Sequence, residues 1–321
     1  MVKGKKLLYG LLSVCATALV GVSLSGVTTP TAHAATASYT KAINAGASYI
    51  KTKTTKSDLD AWDALAVKRS PYGMSSKAKA VFKKELAAHF KSLDGHYSAV
   101  DYERSMIGAL SIGSNPEKYE STNLVSGIIK TAPKSNAGIN GKIWGIIALS
   151  SKNYGSKSNA AVKTLVSQVV KAQNSAGGWA ISGTASDVDV TGMALMALSM
   201  HKSYSGVKTA ISKATSLLKN KAYQKSGDFI IASAFTTKAN SDSNAMALAG
   251  LSAAGVNTDT YKGTSSITPV KRLMKFQKST GQFRWLWNSN TGALHMSTQQ
   301  ATYALEQYRN YKLHKGSIFS F

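Results

Sequence analysis

Two kinds of hydrophobic pattern alternate along the chain. The first is a stripe: Val162, Leu165, Val166, Val169 and Val170 recur at i, i+3, i+4, i+7 and i+8 within Ala160–Gln173, with lysines opposite. That spacing predicts a helix that buries one face. Phe82, Leu86, Phe90 and Leu93 repeat it, as do Val207, Ile211, Ala214, Leu217 and Leu218. Thinner stripes run through Leu124, Val125, Ile128 and Ile129, through Val270, Leu273 and Met274, and through Ile43, Ala47 and Ile50. The second pattern is apolar on every side, as from Met193 to Leu198, and predicts a helix enclosed all round. Runs of this kind end near Leu65, Leu110, Leu149, Leu198, Leu251 and Leu305; the 240 residues between first and last hold five intervals, a mean of 48. Each stripe precedes an enclosed run, so the pattern predicts about six helical hairpins with amphipathic helices outside and apolar helices inside. Six such hairpins closing on themselves make an all-α fold, an α/α toroid. No useful period-2 alternation competes with it.

The turns between stripe and run share one form. Gln173-x-x-x-Gly177-Gly178-Trp179, Gln224-x-x-Gly227-Asp228-Phe229 and Gln277-x-x-x-Gly281-Gln282-Phe283 each place a glutamine at a helix end, a glycine beyond it and then an aromatic. The expectation is a structural staple: a glycine at positive φ, a glutamine on orphan helix carbonyls, and an aromatic packed back. Asp189 and Asp242 lie 53 residues apart, and Ser297 follows 55 residues on. Each precedes an apolar run and is expected to act as its N-cap, Ser297-x-x-Gln300 having capping-box form.

Gln-x(2–3)-Gly-x-Trp/Phe followed by an apolar helix resembles the repeat of the squalene-cyclase and protein-prenyltransferase superfamily, which includes transcobalamin-like carriers. The likeness is closest to exported surface proteins of Gram-positive bacteria carrying this repeat. It rests on Asp187-x-Asp189-x-Thr191-x-Met193-Ala194-Leu195-x-Ala197-Leu198, on Asn240–Ala245 and on Ser297–Leu305. It covers residues 160–312 well and 39–159 weakly. The resemblance implies the toroid fold. It leaves function open among cyclases, transferases, carriers and domains without activity. By the resemblance alone, a cobalamin-like or isoprenoid ligand is the kind of molecule to expect; the residues themselves predict no cofactor.

Residues 1–34 read as a secretory signal peptide: Lys3, Lys5 and Lys6, a mostly apolar Leu7–Leu24, and a cleavage site at Ala32-His33-Ala34. Residues 35–321 form the toroid domain. Cys15 is the sole cysteine and lies in the leader, so the mature chain is expected to hold neither disulfides nor thiolate metal sites. No later segment is long enough and apolar enough to span a membrane. The net charge of +24 includes only five arginines among 39 basic residues. A lysine-dominated excess fits diffuse attraction to a polyanion rather than specific nucleic-acid readout. For an exported protein the expected partner is anionic cell-wall polymer or cell surface, with charge retaining the secreted protein there; solubility alone is the alternative.

The chemistry is less defined. If the chain is an enzyme, Asp187 and Asp189 are the catalytic candidates. The resemblance aligns Asp189 with the acid of the cyclase motif Asp-x-Asp-Asp, but Val190 occupies the fourth, aspartate position. The inner helices look mainly aliphatic apart from Trp144 and Tyr303. No metal site is expected, since His295 looks isolated and the other histidines lack ligand spacing. Neither a nucleophile elbow nor a P-loop or dinucleotide fingerprint occurs. Candidate acids for carbohydrate chemistry are Asp60, Asp63, Asp101, Glu103, Asp187, Asp189 and Asp242, and the loop holding Asp101, Tyr102, Glu103 and Arg104 is the best placed. Asp101, Tyr102, Trp144, Asp189, Asp242, Asn244, Trp285, Trp287, Gln299 and Tyr303 are the candidate ligand-binding residues. The reading is a non-catalytic module that binds a small ligand or associates with the wall. The alternative is a terpene-cyclase-like or polysaccharide-active enzyme working at the toroid's mouth. A buried pair of carboxyls with perturbed pKa inside the ring would favour the enzyme.

Overall fold

The computed structural model describes residues 31–53, 59–233, 237–292 and 294–321, so nearly all of the leader lies outside it. Among the described residues twelve α-helices follow one another: α1 Thr31–Lys53, α2 Ala61–Arg69, α3 Ser76–Ser92, α4 Ala99–Ser111, α5 Leu124–Thr131, α6 Gly138–Leu149, α7 Ser156–Lys171, α8 Val188–Ser199, α9 Val207–Leu217, α10 Ser241–Ala254, α11 Pro269–Lys275 and α12 Leu294–Lys312. No strands accompany them, only isolated bridges such as Trp179 with Asp187 and Gln277 with Phe283. The even-numbered helices pack in sequence, and α12 returns against α2 to close an inner ring. The odd-numbered helices carry the stripes and lie outside. All six enclosed runs fall on inner helices, as the hydrophobic pattern predicts. Among the described residues no helix is long and apolar enough to cross a membrane.

The turns work as staples, with one departure. Gly177, Gly227 and Gly281 take φ of +95°, +88° and +92°, and Trp179, Phe229 and Phe283 are buried beneath them. Gln173 Nε2 donates to Gly177 O and, at 2.8 Å, to Ala210 O of α9. Gln277 Nε2 likewise donates to Gly281 O and to Ala42 O of α1, tying the last outer helix to the first. Gln224 instead bonds Ala222 O within its own turn. There the link to the next outer helix, α11, is an ion pair, Arg272 Nε to Asp228 Oδ1 at 2.8 Å.

The inner-helix caps differ from the sequence expectation. Asp187 caps α8, its Oδ1 accepting from Asp189 N and Val190 N at 2.8 and 3.1 Å, and Asn240 caps α10. Asp189 and Asp242 each sit one residue inside the first turn, and Ser297 lies within α12. α8 and α10 each start two residues earlier than expected, because Asp187 and Asn240 carry the extended backbone that a cap requires, and α12 starts four residues earlier.

The C-terminal segment fills the far end of the ring. Phe321 N donates to Ser151 O, Arg69 Nη2 donates to Ser320 O, and Phe319 is fully buried against Trp144 and Tyr303.

Candidate functional site

A cavity of about 620 Å³ opens at the mouth of the ring, lined from five inner helices. Asp60 and Trp62 come from the start of α2, Val100, Glu103 and Arg104 from α4, Asn140 and Trp144 from α6, and Met193 from α8. His295, Gln299, Gln300 and Tyr303 come from successive turns of α12.

Asp60 is the N-cap of α2. Its Oδ1 accepts from Trp62 N, Asp63 N and Gln299 Nε2 at 2.8, 3.2 and 2.9 Å. Burial and the neighbouring Asp63 raise its pKa, while the backbone donors and the Arg104 charge oppose that rise. Asp63 returns the cap by accepting from Asp60 N and holds His295 Nε2 at 2.9 and 3.0 Å from its two oxygens. His295 is therefore paired rather than isolated, across 232 positions of sequence.

Glu103 stands differently. It is 1% exposed, and neither carboxyl oxygen has a hydrogen-bond partner among the described residues. Burial, then the nearby Asp101, raises its pKa well above the ordinary carboxylate value, which favours the neutral acid. Glycines make room for it: a β-carbon on Gly145 would stand 3.2 Å from Glu103 Oε1. The wall around it is aromatic. Trp62 and Trp144 lie 4.6 Å apart between centroids, with Tyr303 at 6.3 Å from Trp62. The expected aliphatic interior is thus corrected by Trp62 and by Phe319 beneath Trp144.

Of the sequence candidates, Trp144, Gln299 and Tyr303 line this cavity. Asp101 completes a capping box with Ser98, and Tyr102 packs over Gly127. Asn244 is a staple, accepting from Phe229 N and donating to Asp228, both at 2.7 Å. Trp285 lies under Gly292 and accepts from Ser241 N through its carbonyl. Trp287 meets Phe276 edge-to-face and lies under the Arg272 guanidinium. None of these five lines the cavity. Asp187, Asp189 and Asp242 are also absent from its wall. Asp189 and Asp242 nevertheless form the anticipated pair of perturbed carboxyls, pushed up by burial to about 7 and about 6. The Ser243 and Ser297 hydroxyls approach closely enough to lower these values, yet Asp189 Oδ1 and Asp242 Oδ2 complete no hydrogen bond. Among the described residues no three His, Cys, Asp or Glu side chains converge to hold a metal ion. Sequence reading missed Trp62 and Asn140, since nothing local distinguishes them from packing residues, and it took Gln300 only as half of a capping box.

No family model matches the chain, and no curated protein matches it either. Solved structures do. A variant of the type II terpene cyclase MstE from Scytonema superposes with a TM-score of 0.57 at 11% identity, covering 88% of this chain and 99% of that one. A second variant, bound to geranylgeranyl dihydroxybenzoate, gives 0.55 at 11% identity with the same coverage. A polysaccharide lyase gives 0.56 at 9% identity, covering 87% and 98%. Together these define the class of architecture, the α/α toroid, over nearly the whole of each chain.

Proposed function

We propose that the chain is a polysaccharide-active enzyme that cleaves glycosidic bonds at the toroid's mouth, with Glu103 as the general acid. The observation that carries this is the buried Glu103 carboxyl on the cavity wall, both of whose oxygens lack a hydrogen-bond partner among the described residues. A carboxylic acid kept protonated by burial donates its proton to the leaving oxygen, while a second carboxylate, kept ionised by hydrogen-bond donors, takes a proton from the water whose oxygen replaces it. Asp60, with three N–H donors on one oxygen, is that second carboxylate. Trp62 and Trp144 offer flat faces for sugar rings, and Asn140, Gln299 and Gln300 bond hydroxyl groups. Arg104 adds charge to the rim, where Asp63 holds His295. This polar lining suits a hydroxylated ligand better than a polyene.

The terpene-cyclase reading has its own support in Asp189, raised to about 7. It is weakened because Asp189 does not line the cavity and the fourth motif position is Val190. The leader and the lysine excess favour export and electrostatic retention on wall polymer, releasable by raising salt.

The test is incubation with neutral and acidic polysaccharides, reading new reducing ends. Turnover by the parent and its loss in a folded Glu103→Gln variant supports the proposal. Conversion of linear polyprenyl substrates without polysaccharide cleavage moves the reading to a cyclase. Inactivity on both returns it to binding.

A further inference from the structure

The far end of the ring carries a second cavity, of about 820 Å³, where the last turns of α6, α8, α10 and α12 bring Leu149, Ser199, Ser252 and Tyr311 together. Among the described residues no aspartate or glutamate lines it, whereas Lys152, Lys202, Lys315, His201 and His314 do. A lysine beside a helix C-terminus has an ordinary reason to be there, the partial negative charge of the terminal carbonyls. Lys202 fits that reason, its Nζ donating to Ala254 O at 3.0 Å. Lys152 and Lys315 are exposed beyond the ends of α6 and α12, and their ammonium groups bond nothing among the described residues.

The donors beneath them are also unused. Ser252, 3% exposed, and Ser199 have buried hydroxyl oxygens without a hydrogen-bond partner among the described residues. Gln307, 2% exposed, accepts Ile318 N at Oε1 (2.9 Å). Buried donors left unpaired are costly, so a wall that combines them with free ammonium groups and excludes carboxylates is complementary to an oxyanion.

We propose that this cavity binds the phosphate or carboxylate group of an anionic polymer, at a site separate from the mouth. The C-terminal segment divides the two, because Ser317 and Ser320 line the far cavity while Phe319 between them backs Trp144 and Tyr303 of the mouth.

The experiment is calorimetric titration of the full chain with inorganic phosphate and with glucuronate. The expected result is one saturable site for at least one of these anions, and which one binds identifies the source. The Lys152→Glu/Lys315→Glu variant should weaken binding about tenfold or more. The Ser252→Ala variant, with one donor fewer, should weaken it severalfold. Lys83→Glu/Lys84→Glu on the exposed face of α3 should leave it unchanged, which separates a built site from diffuse charge. Glu103→Gln should also leave it unchanged, whether or not the mouth is catalytic. Failure of both anions to bind, or binding that survives the Lys152/Lys315 reversal undiminished, overturns the proposal.

Discussion

Gly192 and Gly250 bring α8 and α10 together backbone to backbone. A β-carbon at Gly250 would stand 2.5 Å from the Gly192 carbonyl oxygen and 2.8 Å from its Cα. Both helices are enclosed, so neither can retreat toward solvent to relieve the overlap.

Gly250→Ala therefore tests the inner ring. In an exposed helix the change would stabilise by about 1 kcal/mol through propensity. Here overlap should reverse the sign and destabilise by about 1–3 kcal/mol. Denaturant midpoints read the sign directly, and a stabilised variant would mean that the helices are further apart than described.

Asp187→Ala should cost about 0.5–2 kcal/mol, because its side chain caps α8. Asp187→Asn should recover most of that, keeping an oxygen for Asp189 N and Val190 N. Some loss should remain, since Asp187 Oδ2 also accepts from Ser233 Oγ at 2.6 Å. Thermal melts of the two variants check this. Full recovery by Ala would remove Asp187 as the cap.

Asp189 and Asp242 set an unusual pH dependence. Their folded pKa values, about 7 and about 6, lie above the ordinary 3.8, so between these limits the native state binds more protons than the unfolded chain. Their contribution is fully present below pH 3.8 and is lost as pH rises through the folded values. Asp189→Asn removes one such proton, so it should flatten the fall in stability between pH 4 and pH 7 by about 1.4 kcal/mol per pH interval of one. Melts across that range compare variant with parent, and an unchanged slope counts against the buried acid.

Gln277→Ala should cost about 1–3 kcal/mol, because it leaves Ala42 O and Gly281 O without their shared donor where the outer ring closes. Gln224→Ala should cost less, its bonds staying within one turn. Equal losses at the two positions would mean that the closing contact contributes nothing beyond local capping.

Much of the architecture was legible in the linear pattern. Burial on one side or on all sides follows from where apolar residues recur along a helix, so the stripe of Val162–Val170 and the enclosed run of Met193–Leu198 assign themselves to outer and inner rings. The staples were legible for the same local reason, since Gly177 and Trp179 act within a few residues of Gln173. Caps were read two residues late because acidic residues inside a first turn look, in sequence, like the cap itself.

By itself, then, the sequence determined the alternation of twelve helices, the closing turns and the basic surface, all consequences of short-range periodicity and composition. Only the tertiary structure decided which side chains share the mouth. Asp60, Glu103, Trp144 and His295 come from four inner helices whose order in the chain says nothing of which turns face one another. The pairing of His295 with Asp63 depends on α12 returning against α2, and the raised pKa of Glu103 depends on burial beneath α6 glycines. Ring closure and desolvation are properties of the packed molecule, and no local spacing encodes them.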